Sequence, residues 1–187
     1  MKQSLNKLAI VATLSCASAP ACSSAPWGTD LSVHPPEGIA VTADSRISRN
    51  YPQTKCLGFQ REHKSVGFLC SSTSKQFTTD FGVTRTTETP DTQEQFRVAS
   101  GMSIHDMMPT TINGQRLFAT QVDCDDGDGP LYRATSTCHV AFMPMADSHF
   151  LYSNFVLSNE ATSTPGIDER TVMAIWGSLV SATGAHK

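Results

Sequence analysis

YRATSTCHVAF (Tyr132 to Phe142), HFLYSNFVL (His149 to Leu157) and TPGIDERTVMAIWGSL (Thr164 to Leu179) together decide the fold. In the first arm Tyr132, Ala134, Ser136, Cys138, Val140 and Phe142 fall on one face and Arg133, Thr135, Thr137 and His139 on the other. That period of two belongs to a half-buried strand. The second arm returns after the Pro144 to Ser148 break, so the pair reads as a long hairpin. Thr164 then supplies an N-cap and Pro165 a first helical residue, while Asp168 and Glu169 suit the positive end of a helix dipole. Val172, Ile175, Trp176 and Leu179 make an i, i+3, i+4, i+7 stripe. A helix with that stripe needs a sheet to lie on. The expected class is α+β: an antiparallel sheet flanked by helices, with the C-terminal amphipathic helix packed on the sheet.

Working toward the N-terminus, Asn113-Gly114 marks a tight turn into a strand from Gln115 to Val122. Thr78 to Ser100 is polar and Thr-rich and reads as a long surface excursion, within which Gln93 to Val98 suits either a helical turn or a strand. Lys55 to Gln60 and Ser65 to Ser71 read as two strands around Arg61-Glu62-His63-Lys64. Asp44 to Pro52 reads as polar loop. A short strand from Leu31 to His34 meets the turn cluster Pro35-Pro36-Glu37-Gly38.

The 187-residue chain carries 14 Lys+Arg against 17 Asp+Glu, a formal charge of -3. It lacks the sequence-wide basic footprint with which nucleic-acid binders capture phosphates, which sets nucleic acid aside. Lys2 and Lys7 form a positive region, Leu8 to Leu14 an apolar core, and Ala19-Pro20-Ala21 an A-x-A-like cleavage site. Residues 1–21 therefore read as a secretory signal peptide, and the expected address is the periplasm. Cleavage after Ala21 leaves Cys22 first, which resembles a bacterial lipoprotein signal whose cysteine is acylated. Ala19 and Pro20 depart from the usual form of that signal, and the alternative is an ordinary signal peptide with Cys22 an incidental thiol. Residues 22–30 look like a tether of small residues and Pro, and 31–187 like a single α+β domain.

Thirteen residues separate Cys56 from Cys70, and folding that hairpin about His63 sets the two opposite each other. The same gap separates Cys124 from Cys138. In an exported chain, four such cysteines make two disulfides the expectation. Sequence permits three connectivities, and the two local pairs are the choice.

Candidate chemistry is sparse. Asp123, Asp125, Asp126 and Asp128 crowd a glycine-containing loop as calcium-binding carboxylates do, yet the spacing misses the EF-hand rule, because its fifth position falls on Gly127 and no Glu stands at its twelfth. The plainer reading is a solvated hairpin tip, with Asp125, Asp126 and Asp128 available to a partner. His139, Met143, Met145 and His149 are soft donors of the kind copper(I) takes, with His139, Met143 and Met145 on one strand face. Met also fills cores beneath helices and Pro144 interrupts the strand, so core packing is the expectation and no metal or other cofactor is assigned. No Gly-x-Ser-x-Gly elbow, His-Glu-x-x-His or glycine-rich phosphate loop is present. His105-Asp106 invites a dispersed hydrolase triad, against the plainer reading of a polar pair on a loop.

The order of elements resembles the Mog1/PsbP-like group, which includes DcrB-type bacterial lipoproteins. The resemblance rests on Val33-His34-Pro35-Pro36-Glu37-Gly38, on the Asn-Gly-led strand Ile112-Asn113-Gly114-Gln115-Arg116-Leu117-Phe118, on two long antiparallel strands, and on the helix end Ile175-Trp176-Gly177-Ser178-Leu179. It covers most of Leu31 to Val180, while the four body cysteines and the Thr-rich insert depart from the pattern. The resemblance implies an antiparallel sheet flanked by helices and an adaptor or binding role, with no catalytic residues to carry over.

The expected function is therefore a non-enzymatic periplasmic protein, with or without a lipid on Cys22, that binds another protein. An immunity protein neutralising a periplasm-targeted toxin fits these features, with Thr86 to Gln95 and the Asp125 to Asp128 tip as its contact loops. The alternative is a small-ligand or copper(I) carrier using a pocket between sheet and closing helix.

Overall fold

The computed structural model describes residues 25–27, 31–51, 53–86, 94–124, 136–145, 148–159 and 166–181. Residues 25–27, assigned to the tether by sequence, form β1 (Ala25–Trp27), which pairs antiparallel with β2 (Leu31–Val33). The Ile39 amide donates to the Pro36 carbonyl at 3.2 Å, with Gly38 at φ +81°, which is the expected turn into β3 (Ile39–Asp44). The polar run that follows is not loop. Asp44 accepts the Arg46 amide at 2.9 Å and so caps α1 (Ser45–Asn50). A capping carboxylate starts a short helix where composition alone reads as irregular.

β4 (Thr54–Arg61) and β5 (Lys64–Ser72) form the expected hairpin, with Glu62 and His63 at φ 51° and 63°, values that suit a type I′ turn. The supposed surface excursion contains α2 (Lys75–Asp80), capped by Ser74, then β6 (Val83–Thr86) and β7 (Gln95–Ser100). The reason is local patterning. Phe77, Val83, Phe96 and Val98 stand singly among polar residues yet are all buried, an apolar face that average polarity conceals. Of the two readings of Gln93 to Val98, strand is the one realised.

Next come β8 (Ser103–Ile112), the Asn113-Gly114 turn with both residues at positive φ, and β9 (Gln115–Asp123). The decisive hairpin is β10 (Thr137–Pro144) and β11 (Phe150–Val156), followed by α3 (Glu169–Gly177) and the short β12 (Val180–Ser181). Helix α3 starts later than Thr164-Pro165 suggests. Its N-cap is Asp168, which accepts the Thr171 amide at 2.6 Å, while Ile167 just before it is buried and bridged to Leu157. Thr164 and Pro165 lie outside the described residues.

Nine strands form one antiparallel sheet in the order β3-β4-β5-β11-β10-β9-β8-β7-β6, and β1, β2 and β12 form a second, small one. The large sheet curls into a half-barrel. Strand β8 changes partner along its length, pairing with β7 through Met107 and with β9 from Met108 onward. Helix α3 covers one face of the sheet through Val172, Ile175 and Trp176. Phe77 of α2 and Ile47 of α1 pack on the other face, where Phe68, Phe142, Phe150 and Tyr152 continue the cluster. The protein is thus mostly β, with helices on both faces.

Sequence reads the first hairpin arm as half-buried, but every described residue of β10 from Cys138 to Met143 is buried, as is all of β11. Both faces of these central strands are covered, so even the polar-looking His139 and Ser153 are interior. Close approach also fixes Gly67, at φ +152°, where a Cβ would run into the Asn154 carbonyl and the Phe155 ring.

Candidate functional site

The covalent frame comes first. Cys56 and Cys70 face each other across β4 and β5 and are bridged with their Cα atoms 4.1 Å apart. Cys124, just past β9, is bridged to Cys138 of β10 with a Cα separation of 5.1 Å. Both expected local pairs form. Two disulfides are the mark of an oxidising, extracytoplasmic compartment.

The candidate site lies where α3 stops covering the sheet. Strands β8 and β9 run out past the helix, leaving a cleft of about 390 Å³ lined by Met108, Ala119, Gln121, His139, Glu169 and Met173 among others. His139 pairs across the ladder with Gln121, and Ala119 with Met108, so Met108, Gln121 and His139 all stand on the α3 side. Gln121 Nε2 donates to Glu169 Oε2 at 3.2 Å, tying the first turn of α3 to β9. Met173 follows Glu169 by four residues and therefore lies one turn along the same stripe.

His139 is only 2% exposed, and its Nδ1 has no hydrogen-bond partner. An unpartnered buried polar atom of this kind costs roughly 1–3 kcal/mol. Burial pushes the imidazole below its ordinary pKa of 6.5, and the nearby Glu169 carboxylate opposes part of that shift. The ring is therefore neutral at pH 7, with a lone pair on one nitrogen.

In the unfolded chain His139 takes up a proton as pH falls through about 6.5. In the fold it stays neutral to lower pH, so within that window the unfolded state holds more protons. Stability present above pH 6.5 is accordingly lost as pH falls from there to the folded-state value. Urea midpoints are expected to drop between about pH 7.5 and 5.5 in the natural chain and to drop less in His139→Gln. Equal slopes in the two proteins would remove His139 from that role.

The other residues singled out by sequence are dispersed. Met143 shares the α3-side face with His139 but sits four residues along the strand, about 13 Å away, with Ala141 between them. Met145 packs against the same core, and His149 Nε2 is hydrogen-bonded to Ser71 Oγ. His139, Met143, Met145 and His149 therefore do not converge on one point. His105 and Asp106 point to opposite faces of β8, and Asp106 is paired with Arg97 at 2.6 Å. Cys22, Asp125, Asp126 and Asp128 lie outside the described residues. Among the described residues no three His, Cys, Asp or Glu side chains gather as a metal site, and no helix is long and apolar enough to cross a membrane.

Sequence reading missed Met108, Gln121, Glu169 and Met173 as neighbours. The i, i+4 spacing of Glu169 and Met173 was visible, but nothing local says that β8 lies beside that stripe. No family model, curated protein or solved structure matches the chain.

Proposed function

We propose that this is a non-catalytic binding protein of the bacterial periplasm that engages a protein partner through the uncovered face of β8. The observation that carries this reading is the pair Ile104 and Met108, 72% and 69% exposed on one face of β8 on either side of the Arg97-paired Asp106, with Met102 fully exposed in the turn before them. Exposed large apolar side chains interspersed with a charged pair on one strand suit a protein interface, where Met and Arg are enriched. The disulfides support an extracytoplasmic setting, and the leader adds the periplasm with Cys22 as the place for a lipid. Resemblance to the Mog1/PsbP-like group points to the same adaptor role. An immunity protein that occludes a periplasm-targeted toxin is the specific form that suits a small, covalently stapled scaffold.

The test is affinity capture of the tagged chain from its native envelope, beside Ile104→Asp. The natural chain is expected to retain one stoichiometric protein that the variant loses, with unfolding midpoints unchanged because Ile104 is exposed. Recovery of no stoichiometric protein, or its full retention by the variant, overturns the reading.

A further inference from the structure

We propose that the cleft between α3 and strands β8 to β10 is a binding site for a soft monovalent cation, copper(I), held by the His139 imidazole and the thioethers of Met108 and Met173. Three residues with soft or borderline donor atoms line this one cleft. His139 and Met108 stand on the same side of the sheet from strands two apart, offset by one pleat because His139 faces Gln121 and Met108 faces Ala119, and Met173 of α3 lines the same cleft. One nitrogen and two thioether sulfurs suit a low-coordinate d10 ion and do not suit zinc, calcium or magnesium, which take more nitrogen, thiolate or oxygen.

The usual account of methionine, core filling, does not explain this set. Met108 is 69% exposed and fills no core. His139 is buried and no hydrogen bond engages its Nδ1, which leaves that nitrogen without a structural role. Glu169, hydrogen-bonded to Gln121 at the cleft wall, supplies a negative charge beside the cation without needing to ligate it. An exported compartment is also where an exposed thioether site can meet copper without competition from cytosolic thiols. This site shares Met108 with the exposed pair of the protein-binding reading, but the two are separable: Ile104→Asp leaves all three donors in place, and Met173→Leu leaves Ile104 and Met108 in place.

The test is competition for copper(I) against bicinchoninate, with ascorbate as reductant under anaerobic conditions, using the intact oxidised protein. The natural chain is expected to withdraw one equivalent. Met108→Leu and Met173→Leu preserve volume and therefore the fold. Each is expected to weaken binding by about tenfold or more, and the double variant to abolish it. Met143→Leu with Met145→Leu, the pair adjoining His139 in sequence, is expected to bind as the natural chain does. Silver(I), a redox-inert stand-in, should shift the methyl resonances of Met108 and Met173 and leave those of Met143 and Met145 unmoved. An indicator complex left intact by the natural chain overturns the proposal. So does a double Met108/Met173 variant that competes undiminished, or loss of binding in Met143→Leu/Met145→Leu.

Discussion

Replacing all four bridged cysteines by alanine is expected to lower the free energy of unfolding by about 6 kcal/mol, the largest effect of any change considered. Each bridge joins residues 14 apart, and a loop of about 15 residues is worth roughly 3 kcal/mol on the chain-entropy model. A domain this size is stable by only about 5–15 kcal/mol, so the quadruple variant stands near the edge of folding. The two bridges do different work. Cys56–Cys70 reinforces a hairpin whose turn is only two residues, Glu62 and His63. Cys124–Cys138 closes the connection between β9 and β10, and those two strands form the wall and floor of the cleft. All four sulfurs are buried, so adding reductant to the folded protein is a poor test and substitution is the better one. Urea unfolding of Cys56→Ala/Cys70→Ala, Cys124→Ala/Cys138→Ala and the quadruple variant measures the contributions separately. A quadruple variant within about 1 kcal/mol of the natural chain would show that the bridges are incidental.

Trp176→Ala is expected to cost about 3–5 kcal/mol and to undock α3. Trp176 is fully buried with Val172 and Ile175, and its Nε1 donates to Ser153 Oγ at 3.0 Å in the interior. Truncation removes the indole from a packed site, leaves a cavity, and strips Ser153 of its donor. A helix of nine residues has little stability of its own, so its position depends on this contact. Loss of α3 also dismantles the cleft, since Glu169 and Met173 leave with it. Trp176→Phe should cost less because most of the volume remains, although Ser153 is still unpartnered. Ser153→Ala orphans the indole nitrogen at a cost of about 1–3 kcal/mol, and combining it with Trp176→Phe should cost less than the sum of the two. Equilibrium unfolding of the four proteins gives the coupling. A Trp176→Ala chain losing under about 1 kcal/mol would mean that α3 is held some other way.

Several parts of this architecture are legible one-dimensionally because they depend on near neighbours. Asn113-Gly114 permits the two positive φ values of its turn, and nothing distant is needed to place it. Cys56 meets Cys70 because a bulge between Phe59 and Gln60 shifts the ladder by one residue; the two-residue turn alone would set Cys56 opposite Leu69, so the short spacing announces the hairpin and not its final register. The Val172, Ile175 and Trp176 stripe announces a helix that must lie on apolar surface. The helix start was less legible, since Thr164 and Asp168 both suit an N-cap and only the Leu157–Ile167 bridge selects the second. Likewise, isolated Phe and Val residues among threonines did not reveal α2, β6 and β7, because the core that receives them comes from other strands.

Sequence by itself determined that two long antiparallel strands precede an amphipathic helix and favoured, among three connectivities, the two local cysteine pairs that the fold contains. Tertiary structure alone decided that β5 lies against β11, that β10 is covered on both faces, and that β8 passes from one partner strand to another. Periodicity reports which residues share a face but not whether that face will be covered. Covering depends on strands and a helix that arrive from distant parts of the chain, and so the period of two gives the face on which His139 stands but not that this buried ring lines one cleft with Met108 and Met173.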